Sequence, residues 1–155
     1  MPMSLIGAHV SIRGGLHLAI DRGASLSCEA IQIFTKNQLQ WKSPPLKLEQ
    51  SMEFYRKWRN SSIKEVVAHA SYLINLASEG ELRSKSISAA IDEVMRCNEL
   101  GIKYLVLHPG SHGGAGVRSG LARVVDALQE VLERTDDTKT RLLLETTAGE
   151  GFSLG

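Results

Sequence analysis

The sequence predicts an α/β fold of the (β/α)8 TIM-barrel type, with about the first five strands and four helices present. Three observations predict it. Short apolar runs alternate with helical patterns in the order βαβαβαβαβ. Polar, metal-capable side chains recur where those runs end. No G-x-G-x-x-G follows the first run, where Ser11-Ile12-Arg13-Gly14-Gly15 stands instead. A doubly wound nucleotide-binding sheet would carry that glycine fingerprint.

The apolar runs are Leu5–Val10, Ala30–Phe34, Val66–Ala68, Tyr104–Leu107 and Leu142–Leu144. Each is short, and several are rich in β-branched residues. They read as strands buried on both faces of a parallel sheet. Leu16, Ala19 and Ile20 predict a first helix, stopped by Gly23. Leu48, Met52 and Tyr55 predict a second, after Pro44-Pro45. Ile87, Ile91, Val94 and Met95 predict a third, with Gly101 as its C-terminal stop. Leu121, Val124, Val125, Leu128 and Leu132 predict a fourth. Spacings of three and four place each set on one helix face. Alternation of this kind requires right-handed crossovers, which both a doubly wound sheet and a barrel supply.

The strand ends favour the barrel. Strand one ends near His9, strand two near Thr35, strand three at His69, strand four at His108 and strand five at Glu145. Barrel enzymes build their sites there, because successive strands aim their last side chains at one mouth. A closed barrel needs about 250 residues. The chain has 155 and ends ten residues after Glu145. Residues 1–155 therefore read as a single domain, the N-terminal part of a barrel whose C-terminal part is missing.

Composition narrows the partners. With a formal net charge of +1, the chain carries no overall basic signature demanding nucleic acid. Local patches and a bound cation leave such a partner open. Cys28 and Cys97 have no C-x-x-C spacing and read as reduced core thiols of a cytoplasmic protein. The start, Met1 to Ser4, has no basic flank and no long apolar run. No leader and no membrane span are expected.

His69 and His108 each follow a buried strand, where both ring nitrogens need partners. Either alone is equally well explained as a hydrogen-bonded histidine in the barrel mouth. Pro109 keeps His108 extended. Glu145 directly follows Leu142-Leu143-Leu144, where a carboxylate is costly unless paired or metal-bound. A salt bridge across the mouth is its plainer role. Two histidines and a carboxylate on successive strand ends suit zinc, and the same donors admit Mn2+ or Fe2+. Tyr72 and Leu73 lie in the loop just beyond His69. They would serve either as packing or as apolar wedges that enter a DNA groove.

The run His69-Ala70-Ser71-Tyr72-Leu73-Ile74-Asn75-Leu76-Ala77 resembles the signature of the endonuclease IV family of zinc-dependent abasic-site nucleases. The likeness extends to Ile6–Ser11, Phe34–Gln38 and His108–His112. It also covers Leu144–Gly149, where Glu145-Thr146-Thr147 replaces the family's usual Glu-Asn-Thr.

The resemblance implies an eight-stranded barrel with up to three zinc ions at its mouth. His69 and His108 match two ligands of one zinc. Glu145 matches the carboxylate bridging it to a second, and is the residue implied to be catalytic. Tyr72 and Leu73 match side chains that enter DNA beside the abasic site. Lys36, Asn37 and Gln38 match part of a DNA-recognition loop. His9 and His112 match histidines that support the site or contact phosphate. His17 reads as a surface residue. Leu39 departs from the family where some members place arginine. Gly113-Gly114-Ala115-Gly116 reads as a mobile loop. The motifs for the rest of the second and third metal sites are absent from these residues.

The implied reaction is hydrolysis of the phosphodiester 5′ to an abasic site in double-stranded DNA, weak or absent for these residues alone. The alternatives are a metal-dependent sugar isomerase of similar barrel type and a non-catalytic DNA-binding fragment. Unpaired sheet edges would invite self-association.

Overall fold

Five of the apolar runs form one parallel sheet. The computed structural model describes residues 4–155; the expectation about the chain's start rests partly on residues 1–3, outside the described residues. The strands are β1 (Gly7–His9), β2 (Ala30–Ile33), β3 (Glu65–His69), β4 (Tyr104–Leu107) and, after a short β5 (Gly110–Ser111), β6 (Arg141–Leu144). Their order is β1-β2-β3-β4-β6, all parallel. Helices α1 (His17–Ser25), α2 (Leu48–Arg59), α3 (Gly80–Glu99) and α4 (Val117–Glu133) connect them. This is the strand–helix alternation of a TIM barrel.

Strand alternation explains the core. On β2, β3 and β4 the residues Ile31, Ile33, Val66, Ala68, Leu105 and Leu107 are all buried. Their neighbours Gln32, Val67 and Val106 face the other way and are half-buried. Burying a Leu, Ile or Val of this layer stabilises the fold by about 1.5–3 kcal/mol each. The expectation that all five strands are buried on both faces fails at the edges. All three residues of β1 are exposed, and in β6 Leu143 and Leu144 are 41% and 52% exposed. Among the described residues, each edge strand has a neighbour on one side only.

Helix faces needed three corrections. α1 runs through Gly23 to Ser25. A Cβ at Gly23 would lie 2.4 Å from Cγ2 of Ile31, so this glycine marks a close helix–strand approach. The helix stops at Ser27, φ 58°, whose N–H bonds to the Ala24 carbonyl while Cys28 N–H bonds to Gly23. In α2 the expected core stripe of Leu48, Met52 and Tyr55 is exposed. Phe54 and Trp58, four residues apart, bury the larger aromatic surface instead, and Trp58 Nε1 donates to the Ile63 carbonyl at 3.1 Å. In α4 Val124 is buried as expected, but Leu121, Val125 and Leu132 are exposed. The small Gly120 and Ala127 take the buried face with Val131, allowing the helix to sit close. α3 follows expectation more closely: Ile87 and Val94 are buried, and Gly101 ends the helix at φ 73°.

Two short strands, β5 and β7 (Ser153–Leu154), were not anticipated. β7 pairs antiparallel with β5, folding residues 153–154 over α4. Leu154 is buried there against Gly120. Among the described residues, no helix is long and apolar enough to cross a membrane.

Candidate metal centre

Register brings three ligand-type side chains to one place. Val106 pairs with His69 on one side and with Leu143 on the other. Paired residues of parallel strands share a face, and side chains repeat every two residues. His108 and Glu145 therefore continue the face that His69 occupies, at the C-terminal ends of β3, β4 and β6. Glu145 N–H donates to the Leu107 carbonyl at 3.0 Å, which carries the pairing one residue past β6.

Nε2 of His69 stands 2.9 Å from Oε2 of Glu145, and Nε2 of His108 stands 3.4 Å from the same oxygen. The three ligand atoms lie within 4.8 Å of one another. Glu145 was expected to be buried. Its side chain is instead 45% exposed, because β6 is an edge strand.

The donor chemistry fits a cation. Nδ1 of His69 lies 2.8 Å from the Ala70 carbonyl, which can only accept, so Nδ1 carries a hydrogen and Nε2 keeps a lone pair in the neutral ring. Nε2 and a carboxylate oxygen at 2.9 Å then need a proton or a metal between them. The backbone contact also holds the ring as second partners hold metal-bound histidines. His108 lacks this support: its Nδ1 is buried without a hydrogen-bond partner. Two ligands about 2.0–2.1 Å from a tetrahedral zinc stand roughly 3.4 Å apart. The His108–Glu145 spacing meets that value. The His69–Glu145 spacing is that of a charge-assisted hydrogen bond, and binding would widen it by roughly half an ångström.

An aromatic layer covers the site. The Tyr72 ring, 64% exposed as a residue, lies 5.2 Å from His69 and stacks at 6.2 Å on His108. Phe34 lies edge-on to Tyr72 and His69. His9 leans on Phe34 at 4.6 Å, and its Nδ1 is 3.0 Å from Gln32 Oε1. Leu73 is half-buried beside Tyr72.

The other expected site residues are dispersed. Asn37 and Leu39 are exposed, and Gln38 is half-buried. Lys36 faces inward: its Nζ lies 2.7 Å from Asp92 and donates to the Trp41 carbonyl, and its side chain is 1% exposed. Its charge is occupied within the fold. Nδ1 of His112 accepts the Gly116 N–H at the start of α4, and its ring packs on Phe152. His17, half-buried, lies 3.4 Å from Glu53. Both cysteines are free and buried, and burial pushes the Cys97 thiol up well above its ordinary range.

Sequence reasoning missed a buried polar group behind the loops. Glu93 of α3 is 1% exposed; it accepts from Ser71 N–H at 2.9 Å and from Thr35 Oγ1 at 3.2 Å. Burial raises its carboxyl above the ordinary value, against the opposing pull of the Ser71 N–H and Lys36. Arg96, one turn on, donates to the carbonyls of Pro44 and Thr35. A Glu and an Arg three apart on a helix read in sequence as a surface pair, so no sequence signal separated them from the solvent face. Asn75 also knits two loops, through bonds with both backbone groups of Ser111.

Residues 20–155 match the family described as the xylose isomerase-like TIM barrel. The chain belongs to that family. Within this family its relatives are endonuclease IV proteins, to whose N-terminal part it corresponds. It is 47% identical over 154 residues to a probable endonuclease 4 of Chloroflexus aurantiacus, covering 99% of this chain and 54% of that protein. A probable endonuclease 4 of Citrifermentans bemidjiense is 45% identical over the same shares. The chain spans about half the length of these curated relatives. Among solved structures, endonuclease IV from Thermus thermophilus superposes with a TM-score of 0.83 at 33% identity, over 97% of this chain and 55% of that one. A D-tagatose 3-epimerase-like protein superposes with a TM-score of 0.73 at 22% identity, covering 97% and 56%; this likeness concerns the fold alone.

Proposed function

We propose that residues 1–155 form one domain, the first part of an endonuclease IV-type barrel, which acts on abasic sites in double-stranded DNA. The reaction is hydrolysis of the phosphodiester 5′ to the site. The observation that carries this reading is the convergence of His69, His108 and Glu145 beneath the exposed Tyr72 ring, in a chain 47% identical to a probable endonuclease 4.

His69, His108 and Glu145 would hold one zinc ion. Bound zinc supplies activation of water at neutral pH and stabilises charge building on a phosphodiester. The remaining work belongs to the chain's own side chains. Ala70 fixes the His69 ring so that Nε2 points at the site. Tyr72 and Leu73 enter the DNA and offer an aromatic face and an apolar wedge against unstacked bases. Asn37 and Gln38 contact the duplex from the neighbouring loop, while Lys36 braces that loop from within. Flipping out a nucleotide that has no base costs least, which favours damaged DNA.

The test is binding and cleavage of a duplex with one abasic analogue, against intact duplex, with and without zinc. We expect zinc-dependent preference for the abasic duplex. Cleavage should be weak, because these residues hold one ligand trio. Equal binding of both duplexes would sink the reading, and turnover of a free ketose would transfer the chain to sugar isomerase chemistry.

A further inference from the structure

Three charged residues of α3 share the side that faces the DNA-facing loops: Asp92, Glu93 and Arg96. Each ends on the segment after β2 or the segment after β3. Glu93 accepts from Ser71 and Thr35. Arg96 holds the carbonyls of Thr35 and Pro44. Asp92 pairs with Lys36, whose amine also reaches the Trp41 carbonyl.

The two segments are then tied to each other. Ser71 Oγ donates to the Gln38 carbonyl at 2.6 Å and accepts the Leu73 N–H at 3.2 Å. Ser71 therefore joins Glu93, Gln38 and Leu73 at one point. The residues carried on these segments, Asn37 to Leu39 on one and Tyr72 with Leu73 on the other, are those that project from the mouth.

An interior carboxylate is expensive to bury, and an apolar side chain of similar size is often more stabilising. Packing alone therefore does not account for Glu93. What it achieves is geometric: two oxygens of one rigid group meet one donor from each loop, fixing the loops relative to each other and to the helix. Loops ordered before binding lose less entropy when a ligand arrives.

We propose that Glu93 is a positioning residue for DNA recognition, holding the loop after β2 and the loop after β3 in one arrangement through Thr35 and Ser71. The proposal rests on the abasic-DNA reading above. Glu93 does not touch DNA or metal; it acts through Ser71, Gln38 and Tyr72. Gln at this position can keep both contacts, accepting from Ser71 N–H and donating to Thr35 Oγ1. Ala can keep neither.

The experiment compares the unmodified chain with Glu93→Ala and Glu93→Gln. Three quantities are read: hydrogen exchange at the Ser71 amide, affinity for abasic and intact duplex by fluorescence anisotropy, and zinc affinity. We expect Glu93→Ala to lose Ser71 protection and to bind abasic duplex about tenfold more weakly, with reduced preference over intact duplex. Zinc affinity should stay within about twofold, since His69 is held by Ala70. Glu93→Gln should restore protection and preference. If Glu93→Ala does not fold, Thr35→Val removes one of the two contacts and should shift the same quantities less far.

Retained abasic preference in a variant that has lost Ser71 protection overturns the proposal. So does a Glu93→Gln variant that behaves like Glu93→Ala. If the unmodified chain shows no abasic preference, the functional reading fails by itself. The exchange measurement still decides the clamp, because unchanged Ser71 protection in Glu93→Ala would show that Glu93 holds nothing.

Discussion

His69 and Glu145 meet end to end, Nε2 to Oε2 at 2.9 Å, although 76 residues separate them in the chain. One pairing register across β3, β4 and β6 produces that meeting, and a slip of one residue would turn a ligand to the opposite face. The metal reading is thus also a statement about strand register.

The first prediction follows from the unequal support of the two rings. His69→Ala should weaken zinc binding by more than the roughly 10–100-fold typical of losing a supporting partner, because it removes a ligand. His108→Ala should cost less, since that ring lacks a partner at Nδ1 and begins less well held. Competition with a chromophoric chelator measures both. Equal losses, or none, would contradict the assignment of His69 as the pre-oriented ligand.

The second concerns the exposed aromatic ring. Stacking of a base on an aromatic side chain is worth about 1–3 kcal/mol, so Tyr72→Ala should weaken abasic-duplex binding by roughly 5–150-fold. Tyr72 is 64% exposed, so the denaturant midpoint should barely move. A variant that binds DNA normally, or one that unfolds, would show that Tyr72 serves packing.

Much of this was legible in the chain because the strands carry their own signal. Ala30–Ile33 and Tyr104–Leu107 bury alternate residues, and His108 follows the second of these runs directly. Helix faces were less legible where two apolar stripes compete. α2 offers Leu48, Met52 and Tyr55 as well as Phe54 and Trp58, and only packing volume selects the second pair. Glu93 was not legible at all. Its burial depends on Thr35 and Ser71, 58 and 22 residues away, and no local pattern announces such partners.

The third prediction is a pH dependence. Glu93 is raised above its ordinary value of 4.5, chiefly by burial, with Asp92 adding to the rise and Ser71, Lys36 and Thr35 opposing it. The folded state therefore holds the proton more tightly than the unfolded chain. That contribution to stability is present below the ordinary carboxylate range and is lost as pH rises through the raised value. Glu93→Gln cannot titrate. The unmodified chain should lose stability relative to Glu93→Gln as pH climbs above 4.5. Urea midpoints at a series of pH values test this, and a difference that grows in the opposite direction would sink it.

The fourth prediction tests the close approach of α1 to β2. Alanine is ordinarily better than glycine inside a helix by about 1 kcal/mol. At Gly23 the added Cβ would meet Ile31 Cγ2 at 2.4 Å and Ile63 Cδ1 at 3.2 Å. Overpacking of this kind costs about 1–3 kcal/mol, so sterics should win and Gly23→Ala should be destabilising. A second change, Ile63→Val, removes the Cδ1 methyl of the other contact and should recover part of the loss. A Gly23→Ala variant with a raised denaturant midpoint would mean that the helix shifts at no cost.

The last prediction concerns the sheet edges. Among the described residues, β1 and β6 each have a strand neighbour on one side only. Exposed apolar side chains accompany both: Ile6 is 75% exposed beside β1, and Leu144 is 52% exposed at the end of β6. Open edges present unpaired backbone donors and acceptors, and apolar surface beside them adds a reason to associate. Residues 1–155 prepared as an isolated chain should therefore self-associate as concentration rises in sedimentation experiments. Placing a charge at the edge is the usual protection against such pairing, so Leu143→Lys together with Leu144→Glu should shift the chain toward monomer. Both residues are at least 41% exposed, so the fold should tolerate the change. Leu144 adjoins Glu145, so zinc affinity measured alongside separates an edge effect from damage to the ligand trio. A chain that stays monomeric at every concentration would show that these edges are already protected by their own twist and short length.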